Sequence, residues 1–593
     1  MRPLFHKNGF LMGKLRSLSE TNRLLILSLA VGLCSGGAAV ILHKLIDLIR
    51  DGLHASFTGN TDILLYLVLP GVGMLISLFI VKYLIKDNIG HGVTKVLVAV
   101  SKNESRIRPH NMWSSVLTSS ITIGFGGSVG AEAPIVYTGA AIGSNFARYL
   151  RMSYRSATIL IGCGAAGAIA GIFKAPLAGV LFTLEILLFN ISMTSMMPLL
   201  LSTVSAAMVS YIFTGDSLPF ECTLSPFNIA NVPFYVLLGF FCGLISLYFL
   251  RMTLKMEDVL SRLKKPLVKW LACSVLLGIL ILLFPPLYGE GYDFLHPLLN
   301  GEEVSYDISI LSSLPHSPWI VPLFFLAVML LKVFSMTFTN AGGGVGGTFG
   351  PTLFVGALAG FVVARTLNLL LSGTSLDVPE QNFVLVGMAG LMAGVMQAPM
   401  TAIFLIAEMT GGYDLFLPLI LTSTISFGTI RIFEKYSIYT KRIASSGELL
   451  THDSDQAVLT LLKTSDLIEK DFSTVSIDAT LGEFVNVIGS SERNLFPVID
   501  SKNHFQGYVS LGDVRKDMFN TDLYSQRHVF NYMRSAPAYV YEDESMESVM
   551  RKFESTDAWN LPVVKKDRTY LGFVSKSKIF SAYRHELREL SQD

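Results

Sequence analysis

Two stretches of this chain can be laid on one another in register: GAIAGIFKAPLAGVLFTLE, Gly167 to Glu185, and GLMAGVMQAPMTAIFLIAE, Gly390 to Glu408. The glycines, the alanine between them, the Ala-Pro pair and the closing glutamate coincide, which makes this an internal repeat. Upstream of each copy, at a similar but not identical distance, stands a second matching element, GAEAP at Gly130 to Pro134 and GTFGP at Gly347 to Pro351. Two homologous halves follow, with paired broken helices meeting midway through a bilayer.

The text around the repeats is apolar. Of 593 residues 51% are hydrophobic and only 15% charged, so a bilayer is the expected solvent for most of the chain. Apolar stretches near 24–49, 63–85, 113–147, 155–213, 231–251, 266–286, 318–337, 351–371 and 383–432 are of uneven length. Some match the roughly 20 residues needed to span, and others are cut by Gly and Pro. The segment 1–21, with Arg2, Lys7, Lys14 and Arg16 and no small-residue cleavage site, reads as a retained cytoplasmic segment. Lys and Arg number 46 against 45 Asp and Glu, a net charge of +1, so no nucleic-acid partner is expected. The cysteines are scattered without CxxC pairs, which argues against disulfides and zinc, and no metal site is predicted.

After about Lys441 the composition turns to charged, alternating text that no membrane segment tolerates. FPVIDSKNHFQGYVSLGDV (Phe496 to Val514) and LPVVKKDRTYLGFVSKSKI (Leu561 to Ile579) share a strand, turn, strand and helix-start pattern. The predicted organisation is a membrane domain over 22–443, in halves of about 22–215 and 231–440. A cytoplasmic tail over 444–593 follows, with two small α/β modules at about 463–520 and 527–584.

Between Met112 and Ala147 the only carboxylate is Glu132, held among small residues in GGSVGAEAPIV. A lone carboxylate in a membrane segment is costly and is a functional candidate by default; a structural cap or a place in a water-filled vestibule is the alternative. Pro134 marks a helix start. A Gly-rich turn feeding a helix N-terminus leaves backbone N–H groups unpaired at the positive end of the helix dipole, so GAEAP and GTFGP could each cradle an anion. Such neutral donors replace hydration without trapping the ion as a lysine would. The runs GCGAAG at Gly162 and GGGVGG at Gly342 meet a dinucleotide-binding spacing, but without the βαβ context they read as close helix packing.

Taken together, GHGVTKV at Gly90, GSVGAEAPIV at Gly127, APLAGVLFTLE at Ala175, GGTFGPTLFVGA at Gly346 and SIYTKRI at Ser437 resemble the CLC family of chloride channels and proton-coupled chloride antiporters. The resemblance covers about residues 22–443, and the tail looks like the paired CBS domains that many members carry. It implies an all-α polytopic membrane domain with an inverted repeat and broken helices, followed by an α/β CBS pair. It further implies a homodimer with one pathway per subunit, embedded in the plasma membrane with N and C termini cytoplasmic. Carried over residue by residue, Glu132 would be the gating glutamate. Thr348 and Phe349 amides and the Tyr439 hydroxyl would hold the central chloride, and Ala131 and Ala133 would add amides further out.

The sequence departs from the family at two places. His91 stands where a serine commonly completes the central site; a neutral imidazole there could donate one N–H and make the site pH-sensitive, or could turn away. The inner proton-transfer glutamate should follow Glu185 but is Ile186, which cannot relay protons, although Glu185 could serve water or protons instead. A gated chloride channel is therefore expected, with proton/chloride antiport as the alternative and a CBS-regulated cation transporter as a remote one. No enzymatic motif appears in the apolar segments, and no cofactor is required. In the tail, Ser510-Leu511-Gly512-Asp513 matches an element that contacts an adenosine ribose in CBS modules, whereas the second module has Lys578 in place of the aspartate. ATP or AMP regulation and a purely structural, dimer-stabilising tail both remain open.

Overall fold

The computed structural model describes residues 18–591 except 57–61, 88, 91, 103–104, 188–192, 218–219, 221–223, 303–316, 373–376, 446–461 and 463. Most of the expected N-terminal segment and His91 lie outside the described residues. The chain divides into two compact units, Met1–Leu450 and Thr451–Asp593.

Every regular element described in the first unit is a helix, and among the described residues nine helices are long and apolar enough to cross a membrane. The helix packing follows a paired pattern. In the first half, helix α1 (Glu20–Ser56) packs on α6 (Tyr154–Phe173) and α8 (Met193–Thr214), and α5 (Glu132–Leu150) packs on α6. In the second, α9 (Val232–Ser261) packs on α14 (Glu380–Met396) and α16 (Phe416–Phe433), and α13 (Phe349–Leu370) packs on α14. The tightest crossings are made over glycine. A Cβ on Gly164 would stand 1.9 Å from the Gly139 carbonyl oxygen, and one on Gly387 would stand 2.4 Å from that of Gly356. Gly164 lies in GCGAAG, so that run is a packing surface.

Several apolar stretches that read as continuous are broken. The stretch 155–213 divides into α6, α7 (Pro176–Glu185) and α8, and 383–432 into α14, α15 (Pro399–Met409) and α16. The break has the same cause in both halves. Lys174 and Gln397 take left-handed conformations, φ 56° and 54°, that end α6 and α14. The proline two residues later lacks an N–H and opens the next helix at its first position. Stretch 113–147 likewise splits into α4 (Ser114–Gly124) and α5, which starts at Glu132, two residues before Pro134. A proline in the first turn forfeits no helical hydrogen bond, so it does not define the first residue.

The second unit holds two three-stranded sheets of one design. Strand β1 (Val475–Ser476) runs parallel to β2 (Leu495–Ile499), which pairs antiparallel with β3 (Phe505–Ser510). The sheet of β4 (Val540–Tyr541), β5 (Asn560–Val564) and β6 (Tyr570–Ser575) repeats this order. Even the register shift recurs, at Val498/Ile499 and at Val563/Val564. Phe472, Phe505, Val564 and Phe573 form a small core between the modules.

Candidate functional site

Two helix N-termini meet inside the first unit. Gly130 and Gly347, just ahead of α5 and α13, exchange backbone hydrogen bonds at 3.1 and 2.7 Å. Neither N-cap residue, Ala131 or Thr348, turns its own side chain onto these first amides, which leaves them to other acceptors at the positive ends of both dipoles.

Glu132 fills part of this place. It is only 2% exposed. Its Oε2 accepts the Gly350 N–H at 3.1 Å and its Oε1 accepts the Tyr292 hydroxyl at 3.0 Å. Glycines make the room: a Cβ on Gly130 would stand 2.1 Å from Oε2, and one on Gly350 would stand 2.9 Å from Oε1. The carboxylate thus takes an α13 amide as a small anion would.

Beside it lie the donors expected from the sequence. Thr348 and Phe349 are the N-cap and first residue of α13, and Phe349 is wedged against Phe173 and Phe182 with ring centroids 5.6 and 6.2 Å apart. The Tyr439 hydroxyl and Thr348 Oγ1 face one another and are both buried. Neither completes a well-formed hydrogen bond among the described residues. Leaving buried hydroxyls unsatisfied costs about 1–3 kcal/mol each, which an acceptor between them would recover.

The two outer amides differ from one another. Ala133 sits at the joint, its nitrogen 3.0 Å from where a Cβ on Gly347 would stand. The Ala131 N–H is already donated, at 2.9 Å, to Glu290 Oε1. That corrects the reading of Ala131 as an open anion ligand, because a side-chain carboxylate from a distant loop occupies its amide.

Glu185 and Glu408 are engaged reciprocally. Glu185 accepts the Met400 and Thr401 N–H groups at 3.0 and 2.7 Å and the Thr401 hydroxyl at 2.7 Å, capping α15. Glu408 accepts the Leu177 and Ala178 N–H groups at 3.0 and 2.9 Å, capping α7. Ile186 is buried at the end of α7 and offers no titratable group.

Glu290, Tyr292 and Lys332 escaped the reading of the sequence. Glu290 stands in YGEGY, a carboxylate between glycines at the end of an apolar stretch, as Glu132 stands between small residues in GAEA. Lys332 is a single cation inside the stretch 318–337. Those two patterns were the available signals.

In the tail, Ser510 and Asp513 form a capping box at the start of a short helix: Asp513 Oδ2 accepts the Ser510 N–H at 3.0 Å and its hydroxyl at 2.9 Å. The other carboxylate oxygen pairs with Arg534. In the second module the equivalent Ser575 hydroxyl turns to Glu469.

Both units are similar to known proteins. The family model for the voltage gated chloride channel matches residues 72–431, and that for the CBS domain matches 465–520 and 529–585. The putative chloride channel protein ClcB-like of Ralstonia nicotianae is 28% identical over 387 residues, covering 64% of this chain and 85% of its own. The H(+)/Cl(-) exchange transporter ClcA of Vibrio vulnificus is 28% identical over 363 residues, 59% of this chain and 72% of its own. Among solved structures, a slow cyanobacterial Cl-/H+ antiporter shares the fold with a TM-score of 0.61 at 22% identity, over 72% of this chain and 98% of its own.

Proposed function

Because this chain belongs to the voltage gated chloride channel family and carries a CBS domain pair, we propose that it moves chloride across a membrane between the first turns of α5 and α13, with Glu132 as the gate. One observation carries the reading. The α13 N-terminus offers the Thr348 and Phe349 amides and two orphan hydroxyls, those of Tyr439 and Thr348, while the Glu132 carboxylate sits on the next amide, Gly350. Carboxylate and chloride compete for one run of donors. A proton on Glu132 weakens its hold on the amide and yields the place to the anion. Neutral donors suit transport, since binding must replace hydration yet permit exit. It is a transport function with no enzymatic step.

Ile186 favours passive, gated conductance, because an aliphatic residue at the end of α7 cannot hand on a proton. Coupled proton/chloride exchange is the second reading, favoured by relatives whose names describe exchangers. Family membership also supports a homodimer with a pathway in each subunit. The basic residues of the N-terminal segment support cytoplasmic termini, for which the plasma membrane is the proposed location.

Chloride efflux from proteoliposomes tests the gate. Glu132→Gln should raise flux at neutral pH and remove its pH dependence; unchanged rate and pH response would refute the assignment. Whether an imposed chloride gradient drives protons uphill separates exchange from conductance.

A further inference from the structure

The carboxylate on the Ala131 amide has no part in the reading above. It comes from the turn Tyr288-Gly289-Glu290-Gly291-Tyr292, between α10 (Pro266–Leu283) and α11 (Tyr292–Asn300). Gly289 and Gly291 have φ of 59° and 97°, a left-handed backbone that few other residues adopt. A Cβ on Gly291 would stand 2.6 Å from the Phe354 ring, so the turn is held tightly against α13. Both backbone groups of Gly289 are also fastened. The Gly289 N–H donates to the Gly126 carbonyl at 3.1 Å, and Lys332 Nζ donates to the Gly289 carbonyl at 3.0 Å.

This arrangement puts three ionisable groups around one helix N-terminus. Glu132 is buried, Glu290 is half-buried, and Lys332, on α12 (Ile320–Ala341), is 0% exposed with its ammonium 4.8 Å from the Phe354 ring centroid. The groups whose charge reaches Glu290 are Glu132 from α5, Lys332 from α12 and Arg50 from α1. Tyr292 of α11 faces both carboxylates and donates to Glu132. Arg50 is itself paired with the exposed Asp293 at 3.3 Å. With both carboxylates ionised, the single buried ammonium leaves one negative charge uncompensated in a low-dielectric place. The cheapest remedy there is a proton.

We propose that Glu290 is a positioning residue for the gate: it occupies the Ala131 amide and, balanced by Lys332, sets how readily Glu132 takes up a proton. The proposal rests on Glu132 being the gate, and it adds the counter-charges that tune it. Removing the negative charge of Glu290 makes ionised Glu132 easier to sustain, so protonation and opening need a lower pH. Lys332 bears on Glu290 and helps to keep that carboxylate ionised.

The test is the external-pH profile of chloride efflux from proteoliposomes for the full chain. Glu290→Gln should move the half-maximal pH down by about one unit, the size expected of a neighbouring like charge. Glu290→Asp, which keeps the charge, should lie between Glu290→Gln and the unaltered protein. A merely structural turn would lower the melting temperature and leave the midpoint where it was. If Glu290→Gln does not reconstitute, the sign of the Glu290→Asp shift decides. Midpoints that stay put or move up overturn the proposal, provided that Glu132→Gln has abolished the pH response. A Glu132→Gln protein that keeps the full response refutes the gate itself, a different and recognisable failure.

Discussion

Gly130 and Gly347 exchange a pair of backbone hydrogen bonds, at 3.1 and 2.7 Å, that join the two halves of the membrane unit where α5 and α13 begin. The joint brings two positive helix ends together, and the Glu132 side chain folds back over Gly130 to the Gly350 amide.

That crowding gives a first prediction. Gly130→Ala would set a Cβ 2.1 Å from Glu132 Oε2 and 2.8 Å from the Gly350 nitrogen. The carboxylate is the readily movable partner and should leave the amide, while the contact with the Gly350 backbone requires the start of α13 to give by a few tenths of an ångström. Chloride efflux at neutral pH should rise several-fold with a flattened pH response, as for Glu132→Gln. An efflux rate equal to that of the unaltered protein would show that the carboxylate holds nothing closed.

Tyr439 permits a prediction with opposed signs. Its hydroxyl is buried and has no well-formed partner among the described residues, so Tyr439→Phe removes an unsatisfied donor from the chloride-free protein. The melting temperature without chloride should hold or rise. Chloride affinity measured by calorimetry should fall by roughly three- to tenfold, the worth of one net hydrogen bond. A hydroxyl that only packs would leave the affinity unchanged.

Glu185 was expected as a possible route for water or protons, and its geometry makes it a cap. It accepts three hydrogen bonds at the start of α15, as Glu408 caps α7 from the other half. Glu185→Gln should lower stability by about 1–2 kcal/mol, the value of a charged, partly buried N-terminal acceptor. Glu408→Gln should do much the same, and neither should alter the ratio of protons to chloride moved. Loss of proton movement in Glu185→Gln with an unchanged melting temperature would restore the relay.

What could be read in advance was whatever repeats. The two Ala-Pro elements, the paired GAEAP and GTFGP turns and the duplicated tail modules each declared themselves because one local conformation was written twice. The breaks inside the long apolar stretches were less visible, since Lys174 and Gln397 announce a left-handed turn only in company with the proline two residues on. The contacts that decide the site were the least legible. Tyr292 reaches Glu132 across 160 residues and Glu290 reaches Ala131 across 159, and no periodicity connects such pairs. Ala131 looked like an open donor for the same reason: the group that takes its amide is supplied by tertiary structure.

The tail supplies the last prediction. The Ser510–Asp513 element matches a ribose contact, yet its carboxylate is spent at home. One oxygen holds the Ser510 N–H and hydroxyl, and the other pairs with Arg534. A nucleotide would have to displace the cap or add to it. Asp513→Ala should therefore destabilise the tail by about 1 kcal/mol or somewhat more, as loss of an N-terminal capping box does, visible as an earlier unfolding transition in the full chain. If the element is purely structural, ATP and AMP titrated into the unaltered protein release no heat and leave that transition where it was. Heat of binding that disappears in Asp513→Ala, together with a nucleotide-dependent rise in the transition of the unaltered protein, would instead make the first module a nucleotide site. The second module, where Ser575 turns to Glu469 and Lys578 replaces the aspartate, should stay silent in either case.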